Sequence, residues 1–166
     1  IGVGATSIQK YAFYGCPSLT SIIISNGVTS IDSSAFSNCS SLSSVIISNS
    51  VHSICSDAFD YCVSLKSIIV DENNINYSNS EDGVLFDKNK ENLICYPAGK
   101  TETSYTVPES VTTIGVEAFF GCTALETVTI PESVTTIAAE AFCGCTALET
   151  VTISGIETTI GADAFY

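Results

Sequence analysis

The chain has 166 residues, a net charge of −13 and an apolar fraction of 45%, which is ample for a continuous core. Five Lys and no Arg leave no basic cluster to displace counterions, so the composition argues against nucleic-acid binding and against anionic membrane surfaces. No apolar run approaches the roughly 20 residues that span a bilayer, so we expect no membrane insertion of this segment.

A Phe recurs every 23 residues through most of the chain. Each of these Phe follows an Ala, and each except the last is followed three residues later by a Cys. They form two series, Phe13, Phe36 and Phe59, then Phe119, Phe142 and Phe165. A fixed period of this length is typical of a solenoid, in which a repeat buries its apolar face only by stacking on its neighbours.

Within a repeat, the apolar spacing predicts a strand, a second extended segment and a turn. Residues 19–24 carry the pattern L-x-x-I-x-I, in which the last two apolar positions alternate as in a strand. Residues 28–31 are rich in β-branched side chains. From Ile31 to Leu42 the apolar spacing changes to four, four and three, which predicts a helical turn of about six residues. Stacked rungs then place equivalent strands side by side in a parallel sheet.

Five of the eight Cys recur with the 23-residue period. Because they repeat together with core positions, we interpret them as buried free thiols that pack as small apolar side chains. A disulfide between adjacent rungs is also conceivable, but five thiols cannot all pair. Cys143-x-Cys145, with Cys122 one rung away, could bring three sulfurs together, but its spacing differs from the C-x-x-C of zinc sites.

The period breaks between Phe59 and Phe119. Val84–Phe86 and Leu93–Tyr96 flank a polar segment and predict a β-hairpin, and the polar run 71–83 predicts a loop. We therefore expect one solenoid domain over residues 1–166, with regular rungs at 1–70 and 105–166 and an atypical hairpin insert at 71–104.

The sequence offers little for catalysis. His52 is the only His and stands where other repeats have Thr, so we interpret it as a variable strand position. No nucleophile–base set and no Gly-rich phosphate loop is present. We expect a non-enzymatic protein without catalytic residues, metal or cofactor.

The outward positions of the predicted strands form the candidate binding surface. They should carry an Ile row at one end of the sheet and a Thr row at the other. An exposed apolar patch often marks an interface, although strand propensity alone also favours β-branched residues there. The candidate protein-binding residues are Ser21, Ile23, Ser44, Ile46, Ser67, Ile69, Thr127, Thr129, Thr150 and Thr152.

The repeat unit V-T-x-I-x-x-x-A-F-x-x-C-x-x-L-x-x-V-x-I-P-x-S closely resembles the BspA-like (Treponema pallidum-type) leucine-rich repeats. Residues 111–133 carry it, and 134–153 carry it again. The insert, with Asp82–Asp87 and Leu93–Pro97, is similar to a variant unit of that family. The resemblance covers essentially the whole chain and implies a leucine-rich-repeat solenoid of the α/β class, rich in β-structure, with short helical turns.

The resemblance also implies a function. It suggests a cell-surface or secreted protein of bacteria or protozoa that live with a host, acting in adhesion or protein binding through the sheet face. The alternative is a spacer or stalk with no specific ligand. The segment shows no signal peptide, and neither end resembles a polar cap. We therefore expect the native protein to continue, or its ends to be covered by a partner, including by end-to-end self-association.

Overall fold

The computed structural model describes residues 4–166, so the first three residues of the expected first rung lie outside the described residues. The chain forms a β-solenoid of 23-residue rungs, as the Phe period predicts. Its strands in chain order are β1 Ser7–Ile8, β2 Ser21–Ile24, β3 Ser30–Ile31, β4 Ser44–Ile47, β5 Ser53–Ile54, β6 Ser67–Val70, β7 Tyr77–Asn79, β8 Leu85–Asp87, β9 Asn92–Cys95, β10 Ser104–Thr106, β11 Thr113–Ile114, β12 Thr127–Ile130, β13 Thr136–Ile137, β14 Thr150–Ile153 and β15 Thr159–Ile160.

Equivalent strands pair in parallel from rung to rung. The longer strands form two three-stranded sheets, β2-β4-β6 and β10-β12-β14, and the shorter extended segments form β1-β3-β5 and the sheet β15-β13-β11-β9-β8-β7. Ile22 pairs with Val45 and Val45 with Ile68, so the register advances by one period per rung. These three side chains are buried, which makes each repeated apolar position a continuous column inside the solenoid.

The predicted helical turn forms a 3-10 helix only at Ser56–Phe59 among the described residues. In the other rungs the same segment forms turns without a regular helix. A residue with positive φ lies two positions before the Phe in those rungs and interrupts the right-handed run: Tyr11, Ser34, Glu117, Glu140 and Asp163. The N–H of Phe36 donates to the carbonyl of Ala58 in the next rung at 2.9 Å, so it is not available for a bond within a helix.

The recurring Phe side chains stack along the solenoid interior. Ring centroids are 5.2 Å apart for Phe13 and Phe36 and 4.6 Å apart for Phe119 and Phe142. Tyr96 takes the Phe position in the insert, because its ring stacks on Phe119 at 5.1 Å and its N–H donates to the Ala118 carbonyl. The Phe period therefore gives two columns of nearly parallel Phe rings, one on each side of the insert.

Four of the five periodic Cys donate a thiol hydrogen bond to the preceding rung. All eight Cys are free in the structure, and of the five periodic ones Cys39, Cys62 and Cys122 are buried, whereas Cys16 and Cys145 are partly exposed. Cys62 Sγ donates to the carbonyl of Phe36 in the preceding rung at 3.1 Å, and Cys39, Cys122 and Cys145 make the equivalent bond. Burial raises the pKa of Cys62 to about 12, so this thiol stays protonated at neutral pH.

The insert contains the predicted hairpin, with β8 antiparallel to β9. Leu85 on β8 packs into the core of the N-terminal rungs, whereas Val84 and Phe86 pack into the core of the C-terminal rungs. Because successive strand residues point to opposite faces, this one strand joins two hydrophobic cores. No helix among residues 4–166 is long and apolar enough to cross a membrane.

The prediction of a loop over residues 71–83 is wrong at Tyr77–Asn79, which form β7 and pair antiparallel with β8. The buried Asn74 explains this order. Its amide nitrogen donates to the carbonyls of Ser48 and Val51 at 2.9 and 3.0 Å, and its amide oxygen accepts from two backbone N–H groups that follow. A polar run thus holds a fixed conformation through side-chain bonds that its composition does not reveal.

Candidate interaction surface

An exposed row of three Ile crosses the sheet β2-β4-β6. Ile23 pairs with Ile46 and Ile46 with Ile69, so the three side chains stand directly beside one another. They are 61%, 39% and 46% exposed, while the strand residues directly before and after each of them are buried. We call Ile23, Ile46 and Ile69 the Ile row.

The other candidate protein-binding residues predicted from the sequence are Ser and Thr at outward strand positions. Ser21, Ser44 and Ser67 begin the three strands and pair in register two residues before the Ile row. The Thr positions form a second exposed patch on β12 and β14, where Thr127 pairs with Thr150 and Thr129 with Thr152. All ten predicted residues therefore reach the surface at least in part.

The structure does not join the ten residues into one sheet. Between β6 and β10, the segment that ends at Gly83 lies where the next strand of the sheet would be. The N–H of Ile68 donates to the Gly83 carbonyl at 2.9 Å. Gly83 has φ +82°, and a Cβ there would lie 2.5 Å from the Cβ of Ser67. Only Gly permits this approach. The Ile row and the Thr patch are consequently separate surfaces.

Lys100 holds this interruption in place, a role that sequence reasoning missed. Its side chain is only 5% exposed, and its Nζ donates to the Asp82 carbonyl at 2.8 Å and lies 3.2 Å from the Asp82 carboxylate. Its Nζ also lies 5.5 Å from the centre of the Tyr96 ring. Burial opposes ionisation of Asp82, but hydrogen bonds from Ser80 and Lys100 hold the pKa of its carboxyl below the usual value.

A groove on the turns was also missed. It encloses about 420 Å³ where the rung of Phe59 faces the rung of Phe119, and its lining includes Tyr61, Val63, Ala98 and Phe120. We call these four residues the junction groove. The sequence contains one indication of this groove, because Tyr61 occupies a position where other rungs have Gly or Asn.

The titratable groups of residues 4–166 do not assemble a metal centre. Within the described part of the chain, no three His, Cys, Asp or Glu side chains are arranged to hold a metal ion. His52, interpreted above as a variable strand position, is exposed at the start of the short segment that ends in β5.

Comparison with solved structures places this architecture among bacterial leucine-rich-repeat proteins. The Treponema pallidum leucine-rich repeat protein is 25% identical, with a TM-score of 0.60, over 96% of this chain and 68% of its own. A leucine-rich repeat protein from Eubacterium ventriosum is 24% identical, with a TM-score of 0.59, over 93% of this chain and 59% of its own. The pneumococcal vaccine antigen PcpA is 22% identical, with a TM-score of 0.60, over 87% of this chain and 51% of its own.

The chain thus spans between about half and two thirds of the length of these proteins. No curated protein matches it. The model of the BspA type leucine rich repeat region matches six copies, over residues 3–83 and 96–166. Those ranges include nearly every rung described above and leave out the β8–β9 hairpin. On this evidence the chain belongs to the family of BspA-type leucine-rich repeat proteins.

Proposed function

We propose that this chain is a non-enzymatic protein-interaction module and that the Ile row is the centre of its interface. The observation that carries the proposal is the register of Ile23, Ile46 and Ile69, which places three large exposed apolar side chains side by side on one sheet. Contiguous apolar surface on a folded protein is typical of interaction sites. Leucine-rich-repeat solenoids are typically scaffolds of this kind.

The backbone beneath the row supports a protein ligand. Each Ile lies on a strand that is fixed by its neighbours and by a buried residue on either side, so binding requires little ordering of the backbone. Ser21, Ser44 and Ser67 border the row and can donate or accept hydrogen bonds. An apolar centre with a polar border is the usual composition of a protein interface.

We assign the Thr patch, Thr127, Thr129, Thr150 and Thr152, a secondary role in the same interaction. Its hydroxyls are exposed on two adjacent strands, but its side chains offer less apolar area than the Ile row. It would orient a long partner and add little to the affinity.

We place the protein at the cell surface or outside the cell and assign it a role in adhesion or host binding. The support is its membership of the BspA-type family together with its net charge of −13, which keeps an exposed β-rich surface soluble.

The test compares two triple variants in their capture of partner proteins. The variant I23T/I46T/I69T removes the Ile row, and the control I75T/V116T/I156T changes three exposed aliphatic side chains elsewhere. Each exposed substitution should change the free energy of unfolding by only about 0.5 kcal/mol, so both variants should fold. Each is immobilised and incubated with cell-surface and secreted protein fractions, and retained proteins are quantified by mass spectrometry.

We expect the wild type and the control to retain the same protein, and the Ile-row variant to retain it at least tenfold less. Equal retention by all three would remove the Ile row from the interface. No specific retention by the wild type would favour the alternative function, a spacer or stalk without a ligand.

We also propose weak end-to-end self-association of this segment. In its last rung Ile160 and Phe165 are 51% and 43% exposed, and the apolar columns reach this end. Like charges oppose the contact, so raising the salt concentration should increase the sedimentation coefficient at high protein concentration. A sedimentation coefficient that is independent of both concentrations would contradict it.

A further inference from the structure

The junction groove exists because the insert interrupts the stacking of the turns. Ser56 Oγ donates to the Glu117 carboxylate at 3.0 Å across 61 residues of sequence, so the rungs of Phe59 and Phe119 meet directly there. Tyr61 and Phe120 span the junction with ring centroids 4.9 Å apart at 78°. Between them and Ala98 lies the cavity of about 420 Å³, within the roughly 300–1,000 Å³ of ligand sites.

Tyr61 is held in an unfavourable backbone conformation. Its φ is +57°, in the left-handed region, and the equivalent residues of other rungs are Gly15, Asn38, Gly121 and Gly144. Gly and Asn adopt this conformation readily, whereas a bulky side chain costs about 1 kcal/mol or more. Tyr61 is 57% exposed, so its ring is only partly buried against Phe120.

Among the described residues that line the groove and the depression beside it, the charged side chains are carboxylates. An adjoining depression of about 320 Å³ shares Tyr61 and Phe120 with the groove and adds Glu140 and Asp163. Burial, then the charges of Glu117, Asp57 and Glu140, raise the pKa of Asp60 to about 7. In the described part of the chain both ion pairs involve Lys100, which binds Asp82 and Glu102 in and beside the insert.

We propose that the junction groove docks an arginine-containing basic segment of a partner protein. A guanidinium stacks on aromatic faces and pairs with carboxylates, so it matches both the walls of the groove and its border. The partner is not a second copy of this chain, which has no Arg and a net charge of −13. This surface lies on the turns, so it stands independently of the Ile row.

The test uses the peptide acetyl-Gly-Arg-Gly-Arg-Gly-amide and its counterpart with citrulline, which keeps the shape of arginine without the charge. Each is titrated into the ¹⁵N-labelled chain and followed by NMR. We expect shift changes to concentrate at Tyr61, Val63, Phe120 and Gly121, and the citrulline peptide to bind at least tenfold more weakly. Equal binding of both peptides, or shifts spread over the acidic surface, would overturn the proposal.

Two variants separate the groove from the general acidity of the chain. Tyr61→Gly removes the ring and suits the left-handed φ, so it should fold at least as stably and bind the arginine peptide at least fivefold more weakly. Tyr14→Ser, the control, changes another exposed Tyr outside the groove and should leave binding unchanged. An unchanged affinity in Tyr61→Gly, or an equal loss in both variants, would contradict a site at the groove.

Discussion

Where the insert begins, single side chains accept the hydrogen bonds that the backbone of a neighbouring rung would otherwise accept. The N–H of Ile54 at the edge of β5 donates to the Tyr77 hydroxyl at 3.0 Å, and the N–H of Val70 at the edge of β6 donates to the Asn79 amide oxygen at 2.8 Å. In a regular rung a neighbouring strand accepts these bonds. Unpaired strand edges invite pairing with other chains, so these side chains protect the interrupted sheets.

The carboxyl of Asp60 should make the protein less stable as the pH rises. Its pKa is about 7 in the folded state against an ordinary value of 3.8, so between these values the folded state binds more protons and the free energy of unfolding falls with increasing pH. Asp60→Asn should remove about 1–3 kcal/mol of this loss between pH 4 and pH 8, after allowance for solvent screening.

Denaturant unfolding of the wild type and Asp60→Asn at both pH values measures this difference. Glu109→Gln, at an exposed position, is the control and should keep the wild-type dependence on pH. An identical pH dependence in Asp60→Asn and the wild type would show that Asp60 ionises normally in the folded protein.

At the scale of elements, β8 couples the two halves of the solenoid. Leu85 packs in the N-terminal core and Phe86 in the C-terminal core, and both are fully buried. Replacing either with Ala should cost about 2–5 kcal/mol, because it removes apolar contacts and leaves a cavity. The neighbouring rungs on the affected side should lose the most protection.

Native-state hydrogen exchange distinguishes the two sides. We expect Leu85→Ala to reduce protection more at β4 and β6, and Phe86→Ala more at β11 and β13. Ile69→Ala, an exposed change on β6, is the control and should alter protection little. Equal loss in both halves from each variant would mean that the solenoid unfolds as one unit and that β8 does not divide it.

The sequence predicted those elements that repeat. The 23-residue period of Phe and Cys and the pattern L-x-x-I-x-I identified the rungs, the parallel register and the exposed Ile row, because the same contacts recur in every rung. It did not predict β7 or the groove at Tyr61. Both depend on single polar or strained residues at one junction, where no neighbouring repeat supplies a pattern.

At the scale of the whole molecule, the rungs present two surfaces of different chemistry. The Ile row is apolar and lies on strands, whereas the junction groove is aromatic, bordered by carboxylates, and lies on turns. The insert creates the junction groove. The segment of the insert that lies beside β6 also ends the sheet that carries the Ile row. The break in the repeat therefore adds a surface that the regular rungs do not have.

Site-specific photo-crosslinking tests the central claim, that the Ile row contacts a partner protein. A benzophenone side chain is placed at Ile46, in the middle of the row, and separately at Ile156, which is 99% exposed on another part of the chain. After irradiation with cell-surface and secreted fractions, we expect one discrete adduct from position 46 that position 156 does not form. The same adducts from both positions, or none from position 46, would contradict the claim.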